Sequence, residues 1–522
     1  MRRFWILIIL ISGLSIGSIA ETVVTIADKE NWRYTELKPY VGQTIRFSTP
    51  MYVTNNYNSL TISPRRIFTP TNQAYPLSDA YNSMLTANSY GNITLSGVSG
   101  YHRLGEQILN LTVKVNSQNS VSYVSGTWSG NTRNDLTNGY DEDMVALRGN
   151  PTLVVCAMNL EYYLVENLGT GYGPDNYSEH QQQRAKVSKA LATIGADIYG
   201  FVEIEQGQSA LEEIANDLTK NTGRNYDYIN DGGSASSSYT KAGYVYCSDV
   251  VTPYGNLRHN NTGVSNRKKT QAFTENSTGE KFLFSLNHFK AKSGKGSGDN
   301  ADQGDGQGTF NGDRKREAQS VLANYEKDRL YFGDNDILIM GDLNAYAMEE
   351  PITVLKEGGM IDLHRAFHAD SSYSYVYRGQ AGYLDHALSN QTLYPQITGM
   401  VAYHINSDES DQYTYDKSSD QTMFRCSDHD PIIVGLNLDS TLTYTPEEVI
   451  EDVQVYYSAA VPHIRNAEGG AYVLYQMDGQ AITSVPIQIY SNEEPILELN
   501  SGIYIINIYS KGNCLKTKII VQ

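Results

Sequence analysis

From about residue 150 to residue 437, apolar runs typical of buried strands alternate with stretches that have helical spacing. Residues 153–158 and 198–202 are two such runs, and residues 183–194 between them place their apolar side chains on one face. Strands that alternate with helices argue for an α/β arrangement rather than an all-β or all-helical one. Later runs predict further strands at residues 282–286, 337–340, 384–388 and 432–436.

The regions on either side have a different pattern. Residues 22–120 contain short alternating runs separated by Gly, Asn and Pro, which predicts a β-barrel of OB-like type or, as the alternative, a β domain that only packs or spaces. Residues 121–144 are polar and rich in Gly, Ser and Asn, as linkers are. Residues 449–522 are again β-rich and predict a small β-sandwich. The fold class expected for the whole chain is therefore α+β, with the central domain at residues 145–437.

The first 20 residues indicate export. Arg2 and Arg3 precede a short apolar run, and small residues follow at residues 18–20, which is the pattern of a secretory signal peptide. A membrane anchor is the alternative, but the apolar run is short and is soon interrupted by Ser12, Gly13 and Ser15. We therefore expect a secreted protein, free or attached to the cell surface, without a membrane span. In an exported chain the four cysteines, Cys156, Cys247, Cys426 and Cys514, allow three disulfide pairings, and the sequence favours none of them.

Five short segments at the ends of predicted strands carry acids, amides and histidines: residues 158–161, 200–203, 287–290, 341–344, and 384–386 paired with 427–431. If the strand before Asp342 continues to Asn344, alternation places both side chains on one face. Each segment alone is an ordinary turn, cap or polar loop, so the prediction of a site depends on the five together. The candidate residues are Asn159, Glu161, Glu203, His288, Asp342, Asn344, Asp385, Asp428 and His429.

These residue types suit the hydrolysis of a phosphodiester bond. The oxygens of the phosphate gain negative charge as the bond breaks, so a hard divalent cation with oxygen ligands stabilises them. Glu203, Asp428, Asn159 and Glu161 are the candidate ligands; Mg²⁺ is the expected ion, with Ca²⁺ or Mn²⁺ as alternatives. A positioned histidine or aspartate is needed to deprotonate water or to hold a phosphate oxygen, and a carboxylate such as Asp385 fixes the orientation of a histidine such as His429.

In this order, the five segments resemble the endonuclease/exonuclease/phosphatase superfamily, also called DNase I-like, over residues 150–437. Residues 286–292, the loop that ends at residues 305–308, and residues 427–431 resemble its bacterial extracellular nuclease branch. The resemblance implies a four-layer α/β/β/α sandwich with the site at one edge of its two sheets.

The resemblance also implies roles for single residues. Glu203 would be the metal-ligating glutamate with Asn159 beside it, while Glu161 stands where many members have Asp or Asn. Asp342 and Asn344 would contact water and phosphate, and Asp385 would orient His429, with Asp428 near the metal. His288 would be the second catalytic histidine, and Asp342 and His429 stay alternatives for the base.

The expected substrate is nucleic acid, DNA first and RNA second. The formal charge of −18 argues against indiscriminate binding of nucleic acid. However, basic residues gather in the segments around His288, and Arg267, Lys290 and Arg314 are the candidate phosphate contacts. The rival functions are a phosphodiesterase or phosphatase for a phospholipid or small phosphoester, and a non-catalytic surface binding protein.

The tail carries a second resemblance. Residues 502–504 and 518–521 are similar to the C-terminal sorting domain of the type IX secretion system. That resemblance implies the secretion machinery as a partner, and a structural or adhesive domain is the alternative. We expect the protein to be a monomer.

Overall fold

The computed structural model describes residues 21–57, 59–129, 148–233, 240–259, 266–368 and 371–438, together with shorter segments between residues 454 and 521. The predicted signal peptide, residues 1–20, lies outside the described residues, as do residues 130–147 of the predicted linker and its flank. Within the described ranges, none of the helices has both the length and the apolar character needed to cross a membrane.

The N-terminal region forms one sheet around an apolar core. Its strand order is β1-β2-β6-β3-β4-β5-β7, and an additional β6–β7 pairing closes strands β3, β4, β5, β7 and β6 into a circuit. Phe47, Ile62, Ile108 and Val113 are fully buried inside it. The elements are β1 Thr22–Val24, β2 Thr44–Phe47, β3 Met51–Asn55, β4 Thr61–Ser63, α1 Pro70–Gln73, α2 Asp79–Tyr90, β5 Ile93–Ser96, β6 Gln107–Ser117 and β7 Ser120–Ser129.

The predicted start of the linker is wrong. Residues 121–129 belong to β7, which pairs with both β6 and β5. Val121 is fully buried and holds the start of this strand in the core, and Tyr123 and Trp128 pack against that core, whereas residues 124, 125 and 127 are exposed. The polar composition of residues 121–129 therefore reflects a strand with one solvated face, which composition alone does not distinguish from a linker. The OB-like assignment of this domain stays a prediction.

The central region contains two six-stranded sheets. The first has the order β10-β11-β9-β8-β21-β20, and the second has the order β12-β13-β14-β15-β19-β16. Strands β17 and β18 form a separate hairpin. The strands are β8 Leu153–Tyr163, β9 Ile198–Glu205, β10 Tyr226–Tyr228, β11 Thr240–Cys247, β12 Val251–His259, β13 Lys268–Glu275, β14 Lys281–Asn287, β15 Ile337–Asp342, β16 Ile361–Asp362, β17 Tyr375–Tyr377, β18 Gln380–Gly382, β19 Asp385–Ser389, β20 Ile397–Ala402 and β21 Ile432–Leu436. The helices are α3 Tyr177–Ile194, α4 Ser209–Thr222, α5 Asn311–Phe332, α6 Glu350–Glu357 and α7 Leu363–His368.

Three apolar cores hold these layers together. Residues from both sheets, such as Val155 and Phe284, share the core between the sheets. Leu191 of α3 and Leu218 of α4 pack on the outer face of the first sheet. Residues of α5 and α6 such as Val321 pack on the outer face of the second. The prediction of a mixed α/β fold with several sheets is confirmed.

The tail contains two further sheets of three and four strands. Ile464 from the first sheet and Leu474, Ile506 and Ile508 from the second are buried in one core. The strands are β22 Gln454–Ser458, β23 Val461–Arg465, β24 Ala471–Gln476, β25 Ile487–Gln488, β26 Glu493–Pro495, β27 Gly502–Ser510 and β28 Asn513–Val521.

The cysteines of the central region do not form disulfides with one another. Cys156, Cys247 and Cys426 are buried and carry free thiols. Burial raises the pKa of the Cys426 thiol to about 12, so this thiol is protonated at neutral pH. These three cysteines therefore act as small apolar residues of the core.

Candidate active site

The predicted site residues come together where strands of the two central sheets end. Asp342 at the end of β15 pairs in register with Asp385 at the start of β19. Asn159 of β8 pairs with Val202, next to Glu203 of β9, in the other sheet. Because the two sheets pack face to face, these ends meet at one edge of the molecule.

Asp342 lies at the centre of a buried hydrogen-bond cluster. Asn159 Nδ2 and Asn344 Nδ2 each donate to Asp342 Oδ2 at 3.2 Å, and the Asn344 amide N–H donates to Asp342 Oδ1 at 2.9 Å. Burial, and secondarily the charge of Asp385, outweigh the opposing charge of His429 and raise the pKa of Asp342 to about 6. This carboxylate is therefore fixed in place and able to exchange a proton near neutral pH.

Asp385 and His429 form a hydrogen-bonded dyad. His429 Nδ1 and Asp385 Oδ2 are 2.7 Å apart, and Ser374 Oγ donates to the same carboxylate oxygen at 2.7 Å. Burial alone lowers the pKa of His429, but the charges of Asp385, Asp428 and Asp342 and the bond to Asp385 raise it well above 6.5. His429 is thus held in one orientation and carries a proton at neutral pH.

His288 has the opposite protonation state. Burial, and then the positive charges of Arg267 and His429, lower the pKa of His288 well below 6.5, so its ring is neutral. His288 Nε2 lies 3.6 Å from both Glu203 Oε1 and Asp342 Oδ2. Arg267 Nη2 lies 2.7 Å from His288 Nδ1. The site therefore places a neutral histidine and a protonated histidine around one carboxylate.

Three further carboxylates, those of Glu161, Glu203 and Asp428, repel one another electrostatically beside this cluster. Burial, followed by the charge of Asp428, raises the pKa of Glu161 to about 8, and the same two causes raise that of Glu203 to about 7. Glu161 and Glu203 have left-handed backbone angles, with φ of 48° and 57°, which non-glycine residues adopt only where the surrounding structure imposes them. The carboxylates of Glu161, Glu203 and Asp428 repel one another and are half-buried, and oxygens of this kind are the ligands that a hard divalent cation prefers.

Among the described residues, the group that has metal-ligand spacing is a different one. One oxygen or nitrogen from each of Asp342, Asp385 and His429 lies within 4.8 Å of the others. However, Asp385 and His429 are already bonded to each other, and Asp385 also accepts from Ser374. The assignment of the metal to Glu161, Glu203 and Asp428 therefore rests on their mutual repulsion and half-buried positions, and not on this spacing, which their oxygens do not meet.

The three predicted phosphate contacts have different surroundings. Arg267 is half-buried beside His288, and Lys290 is half-buried with its Nζ 4.6 Å from the centre of the Phe310 ring. Arg314 is fully buried and donates to backbone carbonyl oxygens of Gln307 at 2.8 Å and Thr309 at 2.8 Å. Arg267 is thus near the site, whereas Arg314 supports the Gly/Asp-rich loop from inside and does not face solvent.

Two neighbours of the dyad were not predicted from the sequence. Ser374 donates to Asp385, and the Tyr375 ring stacks on His429 with 4.6 Å between ring centres and an interplanar angle of 26°. Both lie in a Ser- and Tyr-rich stretch without an apolar run before it. Only the position of the β17–β18 hairpin brings them to the dyad, so no local signal identifies them.

Acids, amides and two histidines in different protonation states at the edge of two packed sheets define a hydrolase site suited to phosphoester bonds. The model of the endonuclease/exonuclease/phosphatase family matches residues 167–429, and the chain belongs to this family. The family includes nucleases, phosphodiesterases and phosphatases, and its enzymes are generally dependent on divalent metal ions.

Solved structures with similar folds come from several organisms. A family member from Bacteroides vulgatus is 15% identical, with a TM-score of 0.38, over 55% of this chain and 99% of that one. D. rerio TDP2 complexed with a single-strand DNA product is 13% identical, with a TM-score of 0.36, over 55% of this chain and 99% of that one. The human Nocturnin catalytic domain with a bound sulfate anion is 13% identical, with a TM-score of 0.36, over 54% of this chain and 92% of that one. No curated protein matches the chain in sequence.

Proposed function

We propose that this protein is a secreted, divalent-metal-dependent nuclease that hydrolyses phosphodiester bonds in extracellular DNA, with RNA as a second substrate. The observation that supports it most is the geometry around Asp342. Its carboxylate is held by Asn159 and Asn344, and the charge of the Asp385–His429 dyad acts on it. The proposal gives each of these groups a task in one reaction.

In that reaction, water adds to phosphorus and the bond from phosphorus to one ester oxygen breaks. Asp342, whose pKa is raised to about 6, takes the proton of the attacking water. His429 is protonated and places positive charge beside the phosphate oxygens, which gain negative charge in the transition state. The leaving oxygen takes up one proton from solvent, so the products are a phosphate monoester and a free hydroxyl group, and the proton of the water stays on Asp342.

A divalent cation, Mg²⁺ on this proposal and otherwise Ca²⁺ or Mn²⁺, would be held by Glu161, Glu203 and Asp428. When bound, it would supply Lewis-acid stabilisation of the negative charge on the phosphate. The neutral ring of His288 can accept or donate a hydrogen bond without adding charge to this group. Arg267 supplies the fixed positive charge on the same side.

The substrate class is tested with a panel of phosphoesters. We expect the purified protein to cut plasmid DNA, linear DNA and, more slowly, RNA with Mg²⁺ or with Ca²⁺ plus Mg²⁺, and to stop in EDTA. Open circles from the plasmid would show endonucleolytic attack. His429→Ala should lose cutting, whereas His259→Ala, on an exposed site of β12, should keep it.

Absence of cutting by the folded protein with any of these metals would contradict the nuclease proposal. Hydrolysis of a phospholipid or of a phosphate monoester by the same preparation would then assign it to another substrate of the family. Absence of all hydrolysis would support a binding protein that retains the fold.

Export and sorting belong to the same proposal. The signal sequence over residues 1–20 and the similarity of the tail to a type IX sorting domain support secretion. We expect the intact protein in the medium or on the cell surface, and the same chain without residues 449–522 to stay inside the cell. Equal amounts outside the cell for both chains would contradict a sorting role of the tail.

A further inference from the structure

The N-terminal β domain contacts the chain segment that reaches the Asp385–His429 dyad. This segment, residues 372–377, leads into and forms β17. Asn72 Nδ2 donates to the Ser372 carbonyl oxygen at 3.3 Å. The Arg66 guanidinium lies 4.1 Å from the centre of the Tyr373 ring. Two residues of the N-terminal domain thus hold the beginning of the 372–377 segment.

The same domain extends the β17–β18 hairpin. Phe68 forms a parallel β-bridge with Ala381 of β18. Thr69 N–H donates to the Ala381 carbonyl oxygen at 2.9 Å, and Ala381 N–H donates to the Ile67 carbonyl oxygen at 2.8 Å. Backbone bonds of this kind fix the position of a hairpin that would otherwise have only two strands.

The other side of the 372–377 segment faces the dyad. Ser374 Oγ donates to Asp385 and the Tyr375 ring stacks on His429, as described above. Residues 372 and 373 therefore contact the N-terminal domain, while residues 374 and 375 contact the dyad. One short segment joins the two regions.

Arg66 is the charged centre of this contact. It forms an ion pair with Asp408, which is fully buried, and Tyr373 Oη donates to Asp408 Oδ2 at 2.8 Å. Loss of Arg66 removes the hydrogen-bonded cation of this buried carboxylate and the group above the Tyr373 ring, so it is expected to displace Asp408 and Tyr373. Arg103 also forms an ion pair with Asp408, but its Nη2 is 3.9 Å from Asp408 Oδ2, which is too far to replace the hydrogen bond from Arg66.

We propose that the N-terminal β domain completes the active site, with Arg66 as a positioning residue that acts through Tyr373 on Ser374, Tyr375 and the dyad. The inference rests on the proposed hydrolase activity but does not depend on the substrate being DNA. It assigns the N-terminal domain a task in catalysis rather than only in packing or spacing.

The test compares the full-length protein with Arg66→Ala, Arg66→Lys and the matched control Arg46→Ala, another arginine of the same domain that pairs with Glu21 at the surface. We expect kcat to fall by roughly 10- to 100-fold in Arg66→Ala with little change in KM, because small displacements of reacting groups have effects of this size. Arg66→Lys should recover part of the loss, since it keeps the charge. Hydrogen exchange over residues 372–377 should be faster in Arg66→Ala than in Arg46→Ala.

Unchanged kcat in folded Arg66→Ala, or exchange over residues 372–377 equal to that of the control, would overturn the proposal. If the wild type hydrolyses none of the phosphoesters, the proposed function fails, and so does the assigned role in catalysis. Hydrogen exchange over residues 372–377 would then still decide whether Arg66 orders that segment. If Arg66→Ala does not fold, Arg66→Lys and Asn72→Ala decide by the same two measurements.

A second inference comes from an aromatic pair on the metal side of the site. The rings of Tyr162 and Tyr172 stack with 5.0 Å between their centres and an interplanar angle of 22°, and Tyr172 is 52% exposed. Gly173 makes this approach possible, because a Cβ there would lie 2.4 Å from the Tyr162 carbonyl oxygen. The pair, Tyr162 with Tyr172, is called the tyrosine pair below.

The tyrosine pair adjoins the candidate metal ligands. Tyr162 follows Glu161 directly in the chain, and Arg267 lies beside His288, whose Nε2 is 3.6 Å from Glu203 Oε1. The loop that carries Tyr172 is anchored at its start, since the Glu205 carboxylate accepts backbone N–H bonds at 2.7–3.1 Å from residues 165–167. An aromatic surface is thus held next to both the carboxylates and a positive charge.

The geometry points to the tyrosine pair as a stacking site for a base of a single-stranded nucleic acid whose phosphate lies at the carboxylates. This inference deepens the proposed function by naming what the site recognises beside the phosphate. Aromatic rings stack on any base because each base has a π-face, and Arg267 complements the charge of the backbone. A phospholipid has no base to occupy such a surface.

The test measures binding of fluorescein-labelled octathymidylate and of an abasic octamer in Mg²⁺, in an Asp342→Ala background that does not cleave them. Tyr172→Ala should weaken octathymidylate binding between about 5-fold and 100-fold, and leave abasic binding unchanged. Tyr172→Phe should bind like the parent, as should the control Tyr490→Ala, which alters an exposed tyrosine of the tail.

Equal loss of affinity for both oligomers in Tyr172→Ala, or no loss for either, would overturn the stacking site. The nuclease proposal would still hold in that case if the wild type cuts DNA. If the wild type neither binds nor cuts DNA but hydrolyses bis(p-nitrophenyl) phosphate, the nuclease proposal and the stacking site fail together. The catalytic cluster itself would then still be supported. Cleavage of DNA with base-dependent binding at Tyr172 supports both.

Discussion

At the scale of single residues, the site depends on opposite protonation states in two histidines that share one set of carboxylates. His429 is charged because three carboxylates surround it, and His288 is neutral because it is buried beside Arg267. Neither state is a property of histidine alone, whose ordinary pKa of about 6.5 predicts partial protonation for both.

Asp385→Asn tests the charge of the dyad. The amide lacks the negative charge that raises the pKa of His429, so we expect His429 to become largely neutral and kcat to fall by about 10²- to 10³-fold. The rate of phosphodiester cleavage at pH 7 measures the effect. Asp299→Asn, on an exposed aspartate near the start of α5, is the matched control. A kcat within a factor of two of the wild type would contradict this role of Asp385.

At the scale of elements, the residues of the site lie at the ends of strands, and the backbone there adopts unusual angles. Gly341 has a φ of 124°, and a Cβ there would lie 2.1 Å from the Asn287 carbonyl oxygen, so only glycine allows β14 and β15 to approach at Asp342. The short spacing between these strands sets the position of the Asp342 carboxylate.

Gly341→Ala is expected to lower the free energy of unfolding by at least roughly 3 kcal/mol and to abolish activity, because backbone atoms rather than a flexible side chain must move. Gly333→Ala is the matched control. Gly333 ends α5 with a φ of 66° but has open space around it, so its substitution should cost only about 1 kcal/mol. Denaturant unfolding measures both, and equal losses would contradict the argument from close approach.

The turn between α5 and β15 gives a prediction on pH. Burial raises the pKa of Asp334 to about 6, so the folded state binds a proton that the unfolded state has already released. The free energy of unfolding is therefore expected to fall as pH rises from about 4 to about 6. Asp334→Asn should remove this part of the pH dependence and stabilise the protein at pH 7 by about 1 kcal/mol, a value reduced because Asp334 is partly exposed. Melting curves of the wild type and the variant at pH 4 and pH 7 measure the effect. Equal stabilisation of the variant at both pH values would contradict this role of Asp334.

The sequence was most informative where strands end and least informative where contacts are made between distant segments. Runs of apolar residues located β9 and β21, and the acids and amides that follow such runs were recognisable as a site. Helix α3 begins at Tyr177, six residues before the predicted start at residue 183, because its cap, Asn176, follows a polar stretch without apolar periodicity. Ser374 and Tyr375 reach the dyad only through a hairpin bridged to the N-terminal domain, and no spacing in the sequence encodes that contact.

At the scale of the whole molecule, the candidate metal site lowers the stability of the folded state when no cation is bound. The pKa values of Glu203 and Glu161 are raised from 4.5 to about 7 and about 8, so the free energy of unfolding falls as pH rises from about 4.5 to those values. A divalent cation that binds only the folded chain should offset this repulsion and stabilise it by mass action.

Glu203→Gln is therefore expected to raise the melting temperature at pH 8 in EDTA by about 2–4 °C, which corresponds to about 1 kcal/mol in a domain of this size. Addition of 10 mM Mg²⁺ should raise the melting temperature of the wild type and raise that of Glu203→Gln less. Glu357→Gln, on an exposed glutamate of α6, should behave like the wild type. An equal response of all three proteins to Mg²⁺ would contradict the assignment of Glu203 as a ligand.

The central claim is that the cluster around Asp342 hydrolyses phosphodiester bonds. The most direct measurement is the rate of cleavage of a labelled single-stranded oligonucleotide in Mg²⁺ by the wild type and by Asp342→Asn, each shown by its melting curve to be folded. We predict a loss of at least about 100-fold in kcat for Asp342→Asn, since its amide cannot take a proton from water. Cleavage by folded Asp342→Asn at more than about a tenth of the wild-type rate would contradict the claim.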